Sequence, residues 1–478
     1  MLQGWKVPIL NLSIQVDSAR RALDSLQASG IVFADLRLVH KVSTAVSVQD
    51  GKVEEVTSGE DFGACARVLL EGAWGFAATN KSGSEDLSRI LDNALRLARS
   101  SASRTSYPGS VFKLERRQLV HRPRVEVDPR EIPEEDKIDV LSSIERELRG
   151  ADSRIVNSAV RYRDLYVNEK VLDTYGSCVE NESIRTLISL SAVAREGSDR
   201  QSAFEILGET AGFEFVERLD RQDIAVRTAK RASSLLAAKN PPSGKFQVVL
   251  DNAVVGLFAH EAVGHNAEAD SVASGESIFK DSVGSHIARE ELSIVDDPTV
   301  PKAFGSYAFD SEGVEGERKY VIEHGRLVGL LHSLESSAQL SARPTGNARA
   351  MDHQFLPIVR MSNTYVEPRD LSFEELIEDV DEGIYCKGGY WGYVYVERGQ
   401  FTCNVAEGYM IKNGEIGDHL RGFSIGGSTL EVLEKVTGVG NDLKLKLPGS
   451  CGKKGQSISV DAGGPHLRVR DMIVGGLI

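Results

Sequence analysis

The chain is short of cysteine, and the five it has, Cys65, Cys178, Cys386, Cys403 and Cys451, are odd in number and form no C-x-x-C pair. That excludes a disulfide framework and suits a reducing cytoplasm with free or metal-bound thiols. Positive charge is also lacking: the formal net charge is −14, which argues against a nucleic-acid backbone or an anionic membrane surface as partner. No apolar run is long enough to span a bilayer. The opening residues Met1-Leu2-Gln3-Gly4-Trp5-Lys6 lack the charged-then-apolar order of a secretion signal. There is no internal repeat, low-complexity tract or heptad array. The glycines Gly422, Gly426, Gly427, Gly463 and Gly464 do not open a strand-to-helix phosphate loop. They suit an extended backbone passing close by, such as a substrate peptide added as a β-strand.

What remains is a soluble globular composition, 41% hydrophobic and 26% charged, over 478 residues, which is too long for one ordinary core. The pattern predicts an α+β protein. Residues 1–240 form an N-terminal region of antiparallel strands with flanking helices, divisible at 1–120 and 121–240, and residues 241–478 form a large, mostly β catalytic domain. Helices are expected over Ser13–Ala28, Asp86–Ala102, Ile138–Leu148 and Ala225–Ala238. Strands are expected at Val32–Val39, Ala45–Val48, Val53–Thr57, Ala64–Leu70 and Gly75–Ala78, and long alternating antiparallel strands at Val156–Tyr162, Tyr166–Asp173 and Ser183–Ala194. Pro123, Pro129 and Pro133 mark a linker, and Asn240-Pro241-Pro242 the main boundary. Beyond it, Phe246–Leu250 reads as a strand, with Asp251 or Asn252 capping a helix that delivers His260 and Glu261.

The chemistry concentrates in His260-Glu261-Ala262-Val263-Gly264-His265, two imidazoles and a carboxylate directly after an apolar run. In the zinc-peptidase pattern H-E-x-x-H the histidines lie one helical turn apart and share a face. Here the spacing is one residue longer, which on a regular helix turns the second ring about 140° away from the first. Both can reach one ion only if the helix deforms or ends between them, and Gly264 supplies a residue that tolerates a break or left-handed turn. A hydrolytic zinc site usually has three protein ligands and one position for water. His260 and His265 provide two, and Cys451, Glu268, Asp270, His286 and His353 are candidates for the third. Around Cys451, glycines allow close backbone approach, and Lys453 and Lys454 favour thiolate over thiol. Glu261, beside the first ligand, is placed to act as general base on a metal-activated water. The acidic segments Asp296-Asp297-Pro298 and Asp310-Ser311-Glu312-Gly313 read as solvated turns rather than calcium loops.

The run His260 to Asp270 resembles the TldD branch of the TldD/PmbA family, zinc-dependent peptidases also labelled modulators of DNA gyrase. The segments Val295–Thr299, Phe309–Gly313, Pro344–Arg349, Arg360–Tyr365 and Cys451–Gln456 follow in matching order. The likeness is dense from about Gly244 onward and looser before it, and Ser450 stands where a methionine is expected. The resemblance implies zinc held by His260, His265 and Cys451, with Glu261 catalytic. It also implies a cytoplasmic metalloprotease acting on unfolded or extended peptides. The expected assembly is a homodimer, or a heterodimer with an inactive relative of the PmbA/TldE kind, enclosing the site in an interior cavity. The alternative is a non-catalytic regulatory subunit of such a complex. An intact Glu261 favours the enzyme, because a purely structural zinc site needs no base beside its ligands.

Overall fold

A computed structural model describes residues 12–26, 30–81, 83–104 and 109–477. The opening Met1–Lys6 segment and the expected helix end at Ala28 lie outside the described residues. The first half is built on one seven-stranded sheet. Its strands are β1 (Phe33–Gln49), β2 (Lys52–Leu70), β3 (Ala73–Thr79), β4 (Gln118–His121), β5 (Ile155–Asp173), β6 (Cys178–Glu196) and β7 (Asp199–Glu209). Their order is β3-β2-β1-β5-β6-β4, with β7 also pairing β6. Helices α1 (Leu12–Ser25) and α2 (Ser84–Ala102) share one apolar core with β1 and β2. Helices α3 (Glu134–Gly150), α4 (Glu214–Arg218) and α5 (Arg221–Leu235) enclose a second with β5 to β7.

The four expected helices are present, but the strands are longer and fewer than the alternation suggests. β1 runs unbroken through Lys41–Thr44, and β2 through the exposed segment from Lys52 to Asp61. Between the two expected strands, residues 58–63 of β2 carry two glycines and two acids, so no apolar alternation marks them, and pairing with β1 holds the strand. Likewise β5 joins two expected strands into 19 residues, across the charged pair Arg163-Asp164. The short β4 and the polar β7 were not signalled by the sequence pattern.

The second half adds fifteen strands. They are β8 (Gly244–Leu250), β9 (Ile294–Asp296), β10 (Lys319–Glu323), β11 (Arg326–Leu327), β12 (Ala348–Arg349), β13 (Ile358–Val359), β14 (Asn363–Val366) and β15 (Glu382–Tyr395). Then come β16 (Gln400–Lys412), β17 (Glu415–Ser428), β18 (Val436–Val439), β19 (Lys444–Leu445), β20 (Gly449–Lys453), β21 (Gln456–Gly464) and β22 (Leu467–Leu477). One large sheet orders as β17-β16-β15-β8-β22-β18, with β17 also pairing β22; another orders as β11-β10-β9-β14-β21-β19, with β20 on β21; and β12 pairs β13 in a separate two-stranded sheet. Between them lies helix α6 (Asn252–Phe258). Asp251 caps it, accepting from the Val254 N–H at 2.9 Å, and its other carboxylate oxygen accepts from Gly388 of β15. On its opposite side α6 meets β21 almost backbone to backbone, since a Cβ on Gly256 would stand 2.4 Å from the Gly463 nitrogen.

The glycines expected to welcome a foreign strand are occupied by the protein itself. The missing Cβ of Gly426 faces the Phe401 carbonyl, that of Gly463 the Lys444 carbonyl, and that of Gly464 the Val255 side chain. The acidic segments are not solvated either. Asp296 is fully buried and accepts from Ser362 N–H and Oγ, Thr364 Oγ1, Asn347 Nδ2 and Lys319 Nζ. Asp310 accepts three backbone N–H groups, from Glu312, Val314 and Ala348. The two halves are pinned by buried arginines: Arg37 donates to the Asp352 and Phe355 carbonyls at 2.7 Å each, and Arg67 meets Glu312 at 2.8 Å.

Replacing Gly256 by alanine places a methyl group against rigid backbone. The expected result is destabilisation by about 1–3 kcal/mol, as for overpacked cores, read from denaturant unfolding.

Candidate metal centre

Helix α6 does not end before the motif; it widens. Ala259–Gly264 form a π-helical turn, and the His265 N–H donates to the His260 carbonyl, five residues back. A regular helix would pair it four residues back and swing the second ring away. The wider turn stacks the two residues, and their rings lie 5.1 Å apart at 85°. Deformation was required by the spacing, but Gly264 does not provide it through a break. Its φ of −56° and ψ of −53° are helical. Its service is room, because a Cβ there would stand 2.0 Å from Met361 Sδ. A short 3-10 turn, His265–Ala267, then closes the segment.

Cys451 arrives on β20, 186 positions later, with its sulfur 3.3 Å from His265 Nε2. Ligand atoms of His260, His265 and Cys451 all lie within 4.8 Å of one another. Donors held about 2.0–2.3 Å from one zinc ion stand less than about 4.6 Å apart, so this set fits zinc with shifts of tenths of an ångström. Two imidazoles and a thiolate are also the chemistry that zinc prefers. Among the described residues the other candidate ligands are engaged elsewhere. Asp270 binds Lys453 Nζ at 2.7 Å, exposed His286 meets the Arg326 guanidinium, and His353 lies 3.7 Å from Asp61.

Glu268 has a different position, behind the His265 ring. Its Oε2 lies 3.1 Å from His265 Nδ1, and Lys453 Nζ sits 3.1 Å from the same oxygen. Burial opposes its charge, but Lys453, His265 and Arg360 prevail and bring its pKa down to about 2. An ionised carboxylate only accepts, so Nδ1 donates and Nε2 is turned toward the sulfur. Burial pushes the Cys451 thiol up, yet His265 and His260 outweigh it and hold it well below the usual thiol range. The thiolate therefore owes its charge to the imidazoles. Lys453, expected to provide it, is spent on Glu268 and Asp270.

Glu261 lies beside the donors, its Oε2 3.9 Å from His265 Nε2. Burial raises its carboxyl, with the two imidazoles opposing. Gly392 of β15 makes space for it, since a Cβ would stand 2.6 Å from Glu261 Cγ. All four side chains line a cavity of about 600 Å³, shared with Leu257, Phe204, Tyr390, Trp391 and Tyr393. The exposed aromatics of β15 were not anticipated; three of them within four residues, Tyr390, Trp391 and Tyr393, are the signal that marks them.

An α+β architecture with a largely buried His–His–Cys set able to hold a metal and an adjoining glutamate points to a protein of metallopeptidase type. The PmbA/TldA metallopeptidase C-terminal domain matches residues 243–476, domain 1 matches 34–98, and the central domain 127–236. A metalloprotease of Methanothermobacter thermautotrophicus is 39% identical over 449 residues, 93% of this chain and 96% of its own. A protein of Saccharolobus solfataricus named zinc metalloprotease TldD homolog is 30% identical, covering 94% and 98%. The crystal structure of TldE from Thermococcus kodakarensis shares the fold, with a TM-score of 0.77 at 17% identity over 96% of this chain and all of that one. The chain belongs to the TldD/PmbA metallopeptidase family. Among the described residues no helix is long and apolar enough to cross a membrane.

Two outcomes follow from this geometry. Glu268→Gln frees the His265 ring and weakens zinc binding roughly 10–100-fold, measured by competition with a chelating dye. In chelator-treated protein, iodoacetamide labels Cys451 at a rate that stays high as pH falls from 9 toward neutrality, because the thiolate persists below the ordinary thiol pKa. Cys65, Cys178, Cys386 and Cys403, all raised first of all by burial, stay unlabelled there, as peptide mapping will show.

Proposed function

We propose that the chain is a zinc-dependent peptidase that hydrolyses unfolded or extended peptides, with His260, His265 and Cys451 as metal ligands and Glu261 as general base. The reading includes a cytoplasmic location and a dimer, with a second copy or with an inactive relative. It also takes residues 241–478 as the catalytic unit and 1–240 as a separate N-terminal region. The observation that carries it is the convergence of three donor atoms within 4.8 Å beside a carboxylate in an open cavity.

Zinc in such a site polarises a carbonyl and lowers the pKa of water to about 7. The protein's own groups do the rest. Glu261, its carboxyl raised by burial, accepts a proton from the attacking water and returns it to the departing amine nitrogen. Glu268 keeps His265 in one tautomer throughout, and Lys453 keeps Glu268 ionised. The apolar side of the cavity, from Leu257 to Trp391, excludes competing water and receives substrate side chains.

Glu261→Gln is expected to retain about one zinc per chain while peptide hydrolysis falls about 10²–10⁴-fold. Metal analysis with a peptide-library digest, with and without chelator, checks both. Undiminished hydrolysis by that variant would remove Glu261 from the mechanism, and unchanged zinc occupancy in Cys451→Ala would remove the sulfur from the donor set.

A further inference from the structure

A second cavity, of about 490 Å³, lies on the other face of the β20–β21 hairpin, between it and the first sheet. Side chains alternate along a strand, so Cys451 faces the metal centre while Ser450 faces the other way. Ser450 pairs Ser459 in the ladder, and with Ser457 they line this second space. Among the described residues none of the three hydroxyls has a hydrogen-bond partner.

Lys41 and three guanidinium groups line the same cavity, exposed Arg163 and the buried Arg185 and Arg349. Arg185, 7% exposed, donates to the Phe304 and Ser306 carbonyls and to Ser183 Oγ. Arg349, 8% exposed, donates from one nitrogen to the Met361 carbonyl at 2.8 Å and lies 4.6 Å from the Tyr307 ring centre. Among the described residues no carboxylate stands within ion-pair distance of either. Five carboxylates line the cavity too, and each is engaged elsewhere: Glu169 pairs with Arg37 at 3.2 Å and accepts from Ser311, Asp310 is turned into its three backbone N–H groups, Glu60 meets His40 at 2.7 Å, Asp61 lies 3.7 Å from His353, and Asp352 lies 3.9 Å from Lys41. Two like charges, both nine-tenths buried and neither in contact with a carboxylate, are a costly arrangement. Burial and then Arg349 pull Arg185 down to about 9, which still leaves it charged at neutral pH. Planar forks of this kind match planar or tetrahedral oxyanions.

We propose that Arg185 and Arg349, with the hairpin hydroxyls, form a binding site for an oxyanion, a carboxylate or a phosphate, on the side of β20–β21 away from Cys451. The site lies on the opposite face of the hairpin from the Cys451 side chain, and the proposal does not require peptidase activity. Arg349 belongs to the Pro344–Arg349 segment, which the metal centre leaves without a role. Two sources supply the chemistry, the C-terminal carboxylate of a peptide and a free inorganic anion.

The test is calorimetric titration of the full-length, chelator-treated protein with inorganic phosphate. Saturable one-site binding is expected, weakened roughly tenfold or more by Arg349→Gln. Because Arg349 also holds the Met361 carbonyl, Ser457→Glu serves as a second variant. It sets a carboxylate on the exposed edge of the cavity without removing either arginine, and should weaken phosphate to a similar degree. Displacement of phosphate by a peptide with a free C-terminus, and not by its amide, assigns the site to peptide ends. Displacement by neither assigns it to free anions, and both results support the site. If the wild-type protein binds neither phosphate nor free-acid peptide saturably after metal removal, the proposal is overturned. The same holds if phosphate binding is unchanged in whichever variant folds.

Discussion

The N–H of His265 reaches the carbonyl of His260 instead of that of Glu261, and the rest of the site takes its position from that choice. With the ordinary pairing the second imidazole would turn toward a different part of the core, and Cys451 would meet one ring rather than two. A widened turn packs its own backbone less well than a regular one, so its surroundings must favour it. Every residue from Ala259 to Gly264 is buried. Phe258 meets Phe401 edge-on above it, Met361 fills the space beside Gly264, and α6 is clamped between β15 and β21. The large apolar core of the second half is centred on this segment. Packing, more than local propensity, therefore holds the donors in register.

Electrostatics completes what packing starts. Glu268 and Asp270 lie just beyond the wide turn, Lys453 just beyond Cys451, and the ammonium bridges both carboxylates. That bridge fastens the two parts of the chain that bring the nitrogen and sulfur donors. Arg360 adds a second tie, donating to the Cys451 carbonyl. A buried ion pair contributes little net stability against an apolar replacement, but an unpaired member is strongly destabilising. Such a network favours one arrangement over nearby alternatives, which is what a donor set with tolerances of tenths of an ångström requires.

How much of this can be read from the residues alone depends on sequence distance. His260, Glu261 and His265 are legible because their chemistry and spacing lie within six positions, and the spacing itself demands a deformed helix. The form of the deformation is not legible, since an i→i+5 bond leaves no mark in composition and Gly264 keeps helical angles. Cys451 stands among five candidates until the fold pairs β14 in parallel with β21 and so carries the hairpin to the turn. Glu268 is visible as an acid near the motif, but whether it binds the ion or the ring depends on its distance from Nδ1. Helices with an apolar stripe, such as α2, are easily found. The middle of β2, residues 58–63, is not, because two glycines and two acids interrupt the apolar pattern there.

The hairpin shows how a two-residue turn can decide chemistry at its far side. Lys454 and Gly455 both have positive φ, 49° and 76°, the combination that a tight hairpin with right-handed strand twist demands. Lys453 then pairs Gln456, and the ladder continues without a bulge to Gly449 and Val460. Since alternate side chains leave opposite faces, this register sends Cys451 to the imidazoles and Ser450 to the arginine-lined cavity. A slip of one residue would exchange them, placing a hydroxyl at the metal centre and a thiol among the guanidinium groups. The Lys-Lys-Gly-Gln sequence thus fixes the sulfur's direction through backbone dihedral angles alone, with no contact to the ion.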